Sequence, residues 1–276
     1  MSKNVIVGAI TNYETKDIEP WVESVIRNVP NAEVYMICKD IGQKTQNYLS
    51  EKGVNVTSVP SKIPGGNICV ERFNFYKILV KLQLNPEDIV LATDVKDVVF
   101  QDDPFPRIRN AFNQSGTSIL LTSEGITYEN ELWGKQNMAL SFGNAVLNEM
   151  LPIIIHNAGV FGGIAKEFSI LSDMIYRYSL STGKMYVEGG GGPDQAALNV
   201  LVNNPFIQPY CVSSSTIACQ CGTVNNPAYT DKITQLGGAL KDDGYVYHPN
   251  GTKFPVVHQY DRIPEWNKVI KEKYSS

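Results

Sequence analysis

Asp88-Ile89-Val90-Leu91-Ala92-Thr93-Asp94-Val95-Lys96-Asp97-Val98-Val99-Phe100 runs from an apolar segment straight into two carboxylates. Asn85-Pro86-Glu87, just upstream, is a turn signal. Ile89 to Thr93 then has the composition of a strand buried on both faces. Asp94 and Asp97 follow, where open α/β sheets bind their ligands, at the C-terminal end of a central strand. Two hard oxygen donors converging there suit Mg²⁺ or Mn²⁺ carrying a phosphate. The same residues also fit a plain acidic turn, with Asp94 capping it and Asp97 solvated. Only partners elsewhere in the chain separate the two readings.

Upstream, the pattern is regular. Val5 to Ile10 predicts a buried first strand ending at Thr11-Asn12-Tyr13, a position that commonly meets a nucleotide in a doubly wound sheet. Ile18, Trp21, Val22, Val25 and Ile26 have helical spacing, with Pro20 expected in the first turn. Ala32–Cys38 and 54–59 read as strands, and a helix over 42–52 is closed by Gly53. This βαβαβ opening predicts a parallel sheet. Pro64-Gly65-Gly66-Asn67 reads as a loop before a helix over 69–82. Arg72, near that helix's start, is either a phosphate or sugar contact or an arginine with a packed stem and a solvated head.

Whole-chain properties narrow the class. The chain has 276 residues, a net charge of −4, 43% hydrophobic and 19% charged residues. That is ordinary for a globular α/β protein and lacks the basic excess of a nucleic-acid binder. Neither a GxGxxG nor a Walker-type GxxxxGK[ST] is present, which argues against a dinucleotide fold and a P-loop. The five cysteines are odd in number and irregularly spaced, as in a reducing compartment. Val5–Ile10 is too short for a signal-peptide core, and no apolar run is long enough to cross a bilayer. A cytoplasmic protein without a transmembrane segment is expected. The lysines of a terminal helix over 266–274 form either a solvated face or a peripheral membrane contact.

Downstream, Arg107 to Asn113 reads as a short helix and Ser118 to Thr122 as a strand that ends at Ser123-Glu124-Gly125. Glu124 is thus another strand-end carboxylate. From Ile126 the pattern loosens, and Tyr128, Trp133 and Gly134 suit a substrate-facing loop. His156-Asn157-Ala158-Gly159-Val160-Phe161-Gly162-Gly163 is a small-residue strand, whose glycines suggest close approach by a ligand or another backbone. Lys166 to Ser181 predicts an amphipathic helix. The run Gly189–Gly192 leads through Pro193 into a helix with Asp194 and Gln195 in its first turn. His258 ends a short apolar run and has the chemistry to complete a site begun by two aspartates.

In order, the strand-end Asp94-x-x-Asp97, Asn157-Ala158-Gly159, Asp194-Gln195 with Asn199, and the late His258 resemble the GT-A glycosyltransferases. Nearest are the glycogenin-like family 8 enzymes and the glycosyltransferase domain of procollagen lysyl hydroxylases. The resemblance implies a Rossmann-like mixed sheet flanked by helices, in a single domain over 1–276. Its nucleotide-binding half would span 1–124 and its acceptor-side half 125–276. It implies a metal-dependent, retaining transfer of a sugar from a nucleotide-diphosphate sugar, UDP favoured, to a saccharide or other hydroxyl acceptor. Asp94, Asp97 and His258 would hold Mn²⁺ or Mg²⁺. Thr11, Asn12, Tyr13, Arg72, Asp94 and Asn157 would face the donor, Asp194 and Gln195 the reacting centre, and Glu124 the acceptor.

Two departures stand out. Lys96 occupies the third position of the usual Asp-x-Asp, so the second ligand is expected at Asp97. Asp261 and Pro264 replace the glycine and lysine of the usual motif after the histidine, which leaves Arg262 as the candidate diphosphate contact. An aspartate at 194 also suits an inverting general base. The rival classes are a sugar-1-phosphate nucleotidyltransferase, which needs a basic glycine-rich loop after the first strand, and a non-catalytic nucleotide-sugar or carbohydrate-binding module.

Overall fold

The computed structural model describes residues 2–59, 66–188 and 190–275. The first half comprises β1 (Asn4–Thr11), α1 (Thr15–Asn28), β2 (Ala32–Lys39), α2 (Gln43–Glu51), β3 (Asn55–Val59), α3 (Ile68–Gln83) and β4 (Ile89–Thr93). Then come β5 (Val98–Phe100), α4 (Phe105–Ser115), β6 (Ile119–Thr127), α5 (Leu132–Met150), β7 (Ile154–Ile164), α6 (Ala165–Ser181) and α7 (Asp194–Val202). The remainder is β8 (Cys211–Ser214), β9 (Ala218–Gln220), α8 (Cys221–Val224), β10 (Ala239–Leu240), β11 (Val246–Tyr247), β12 (Val256–His258) and α9 (Pro264–Tyr274).

The main sheet has the order β3-β2-β1-β4-β7-β6-β8. The βαβαβ opening is parallel, as its short connections demand, and β4 joins it in parallel. β7 alone is reversed, antiparallel to both β4 and β6, so the sheet is mixed. Alternation along β1 and β4 divides the core. Ile6, Ile10, Ile89 and Leu91 face α1, α2 and α4, while Val5, Val7, Val90 and Ala92 face α3, α6 and α7. On the second face Phe161 stacks on Phe168 at 5.1 Å and lies 5.6 Å from Phe73. Gly162 and Gly163 are explained by backbone: an added Cβ would strike Val90 O or approach Ser118 O to 2.7 Å.

A second sheet, β5-β12-β9, packs at the C-terminal end of β4. β12 pairs antiparallel with β5 and parallel with β9, opposing His258 to Val98 on one side and Gln220 on the other. A separate apolar cluster with Val257, Tyr260, Trp266 and Ile270 backs it. The small sheet therefore carries His258 to the residue next to Asp97.

Two expectations change. α1 begins at Thr15, where Asp17 accepts the Glu14 N–H at 3.0 Å, so Pro20 lies inside the helix rather than in its first turn. The stretch after Ile126 is not an open loop: β6 continues to Thr127, Tyr128 is buried, and Trp133 and Gly134 open α5. Gly143 at φ +85° kinks that helix and breaks its periodicity. Pro64 and Gly65 of the expected loop, and Gly189 of the glycine run, lie outside the described residues.

Phe161→Ala should lower unfolding free energy by about 3–5 kcal/mol, the cost of a large buried cavity. Urea denaturation checks this, and a loss below about 1 kcal/mol would contradict the assigned packing.

Candidate active site and metal centre

β4 ends at Thr93, whose hydroxyl accepts the Trp21 indole N–H at 2.8 Å, fixing the strand end against α1. Asp94 follows and its N–H donates to Gly159 O on β7. Asp97 precedes β5, and its carbonyl accepts the Gln259 N–H at 2.7 Å, which joins the two loops around His258. One atom from each of Asp94, Asp97 and His258 lies within 4.8 Å of the others. His258 Nε2 is 3.4 Å from Asp94 Oδ2 and 3.7 Å from Asp97 Oδ1.

These residues fit a divalent cation. His258 is buried, and its Nε2 has no hydrogen-bond partner although it faces two carboxylates. Its Nδ1 is already engaged by Gln220 at 2.6 Å. Two carboxylates and an imidazole suit Mn²⁺ or Mg²⁺, with positions left for phosphate oxygens and water. Gly159 forms the floor. A Cβ there would approach Asp94 Oδ2 to 2.5 Å and His258 Cε1 to 2.7 Å.

Arg72 is tied on both sides rather than free. Its guanidinium pairs with Asp94, donates to Asp194 Oδ2 at 3.0 Å and donates to Ala158 O at 3.2 Å. Neither reading from the sequence anticipated this: the head is buried and bridges two carboxylates. Burial opposes its charge, but Asp94, followed by Tyr76 and Asp194, keeps its pKa well above the usual value. Burial would also raise Asp94, yet Arg72 and His258 outweigh it and hold that carboxyl well below the carboxylate range. For Asp194 burial prevails over Arg72, and the pKa rises. Burial, opposed by His258 and reinforced by Asp94, pushes Asp97 up to about 6.

The cluster sits at the seam of two cavities. The larger, about 500 Å³, is lined by Glu124, Asn157, Asp194, Gln195, Gly190 to Gly192 and His258. The smaller, about 310 Å³, is lined by Ala9, Tyr13, Lys96 and Asp261. Asp94, Asp97, Arg72 and Arg262 border both. In the larger one, Asn157 donates to Glu124 Oε1 at 2.7 Å and accepts the Gly159 N–H at 2.6 Å. Thr223 donates to Glu124 Oε2 at 3.2 Å, and burial pushes the Glu124 pKa up. Gln195 Oε1 accepts the Ala158 N–H at 3.3 Å.

Among the expected residues, Thr11 lines neither cavity, and Asn12, at φ +53°, borders a separate one beside Lys44. Asn199 docks α7 on β7 through the backbone of His156. Sequence reasoning missed Glu131 and Tyr229, which line the larger cavity and bond each other at 2.9 Å. Trp133 joins them there, despite its place in α5 rather than a loop. It also missed the amides that hold the glycine loop: Asn67 donates to Gly191 O at 3.0 Å and Asn137 to Gly192 O at 3.0 Å.

Mn²⁺ must displace the proton on Asp97, pushed up to about 6, and that on His258, which burial lowers but Asp97 and Asp94 raise above the usual imidazole value, so affinity should fall steadily as pH drops from 7.5 to 5. Calorimetry between pH 5 and 7.5 checks this, and a flat profile would contradict it. Gly159→Ala should weaken Mn²⁺ binding at least roughly tenfold, because its Cβ occupies the space of two ligands. Equal titrations of variant and parent would refute that role.

No protein-family model matches the chain, and no curated protein does. Solved structures are similar across its whole length. The galactosyltransferase LgtC in complex with donor and acceptor sugar analogs is 14% identical, with 99% of this chain and 96% of that one covered and a TM-score of 0.57. An active-site mutant of LgtC gives 14%, the same coverage and 0.58. The glycosyltransferase GlyE of Streptococcus pneumoniae TIGR4 is 16% identical over all of this chain and 64% of its own, at 0.52. The chain therefore has the GT-A glycosyltransferase fold, a Rossmann-like mixed sheet flanked by helices.

Proposed function

We propose that this chain is a metal-dependent glycosyltransferase. It would move a sugar from a nucleotide diphosphate, UDP favoured, to the hydroxyl of a saccharide or similar acceptor, with retention of configuration. The carrying observation is that Asp94, Asp97 and His258 meet at the seam of two cavities, with Asp194 and Gln195 lining the larger. A galactosyltransferase of this fold is known with donor and acceptor sugar analogs, which supports the same use of the cleft. The chain would form one domain over residues 1–276 and would resemble the glycogenin-like and procollagen-type enzymes. Free cysteines throughout support a cytoplasmic setting. No helix among the described residues is long and apolar enough to cross a membrane.

Bound Mn²⁺ or Mg²⁺ would act as a Lewis acid that neutralises the departing diphosphate. Tyr13 would meet the nucleotide in the smaller cavity, with Thr11 and Asn12 as its neighbours at the end of β1. Arg262, exposed and bordering both cavities, would contact the diphosphate. Asn157 would hold the donor sugar, and Asp194 and Gln195 would lie against its reacting face. Arg72 keeps Asp194 and Asp94 in place. Glu124, with Glu131, Trp133 and Tyr229 beyond it, would receive the acceptor, since an aromatic ring beside carboxylates suits a sugar's apolar face and hydroxyls.

Incubation with Mn²⁺ and a panel of nucleotide sugars should release nucleoside diphosphate. Asp94→Ala and His258→Ala should each cut that release roughly 100-fold or more. Unchanged turnover in both variants would sink the metal assignment. Formation of nucleoside triphosphate and sugar 1-phosphate once pyrophosphate is added would instead point to a nucleotidyltransferase, and intact nucleotide binding without turnover to a binding module.

A further inference from the structure

We infer that Gln220 is a positioning residue that, through a buried relay ending at Val160, holds His258 in the tautomer whose bare Nε2 faces Asp94 and Asp97. The inference rests on the metal reading above. The relay's direction follows from its far end. Val160 O is a backbone carbonyl and only accepts. Thr122 Oγ1 lies 2.5 Å from it, so the Thr122 hydroxyl must donate there. That oxygen is then left to accept, and Gln220 Nε2 donates to it at 2.8 Å. With its amide nitrogen committed to Thr122, Gln220 turns Oε1 toward the ring, where it meets His258 Nδ1 at 2.6 Å. An amide oxygen cannot donate, so Nδ1 carries the hydrogen and neutral Nε2 carries none.

The alternative orientations fail on the same distances. Flipping the Gln220 amide sets its NH₂ against Nδ1 and puts the hydrogen on Nε2, which then aims at the cluster. It also sets Oε1 against a Thr122 oxygen whose hydrogen is already used. Gln220, Thr122 and His258 are buried, so water does not relieve such a clash. The arrangement is built into the topology: His258 and Gln220 are Cα partners across β12 and β9, and Thr122 and Val160 lie on β6 and β7 of the main sheet. The relay thus ties the small sheet to the large one and presets a ligand nitrogen in a tautomer that free imidazole disfavours. Partners of this kind orient metal-binding histidines and raise their basicity.

The test has two arms. In metal-free protein, at a pH where the ring is neutral, ¹⁵N spectra of the imidazoles report the tautomer directly, with only three histidines to assign. Wild type should show His258 protonated on Nδ1, and Gln220→Met should lose that signature. In the second arm, Mn²⁺ titration should show a 10–100-fold weaker Kd for Gln220→Met than for wild type. Thr122→Val, which removes only the directing hydroxyl, should fall between them and covers the case in which Gln220→Met does not fold. An Nε2-protonated wild type, or equal Mn²⁺ affinity in a folded Gln220→Met or Thr122→Val variant, overturns the inference. Wild type that takes up no Mn²⁺ while showing the Nδ1 tautomer overturns the metal reading and leaves the relay supported.

Discussion

Carboxylates do not share a buried cleft without counter-charge, and that constraint organises this protein's centre. Asp94, Asp97, Asp194 and Glu124 all converge on the cleft. Arg72 answers two of them at once and so fixes α3 relative to both β4 and α7. Glu124 is satisfied by neutral donors from Asn157 and Thr223. Asp97 keeps the least compensation, facing a histidine and another aspartate. A divalent cation is the natural remaining partner, because removing charge from water without pairing it is far more costly than binding an ion.

The fold supplies this centre from distant parts of the chain. β4 gives the aspartates by the ordinary logic of a parallel sheet. The reversed β7 then brings Asn157 to Gly159 across its end, because an antiparallel neighbour starts where β4 finishes. Its glycines let the backbones close, and Gly159 leaves room for the cluster. The small sheet completes the arrangement by placing His258 and Gln220 side by side.

Much of this was readable from residue order. Strand-end carboxylates, the glycine run before Asp194 and the late histidine each carry a local signature. What was not readable depends on long-range pairing. Arg72 reaches partners 22 and 122 positions away, and no local pattern distinguishes that from a solvated head. Gln220 lies on a three-residue strand, too short for period-2 alternation to register. α5 was hidden by Gly134 and Gly143, which mask a helical period that tertiary packing nonetheless enforces. Pro20 was misplaced because the helix start rests on Glu14 and Asp17 rather than on the first apolar residue.

The floor and the wall of the cleft are held by different kinds of chemistry. The floor is a set of ionic groups whose balance shifts with proton and cation activity. The glycine loop is held by amides, Asn67 and Asn137 donating to the carbonyls of Gly191 and Gly192. Neutral donors of this kind neither titrate nor respond to ionic screening. The cleft thus joins an electrically adjustable base to a wall whose position is indifferent to salt and acidity. Its width is set separately from its charge.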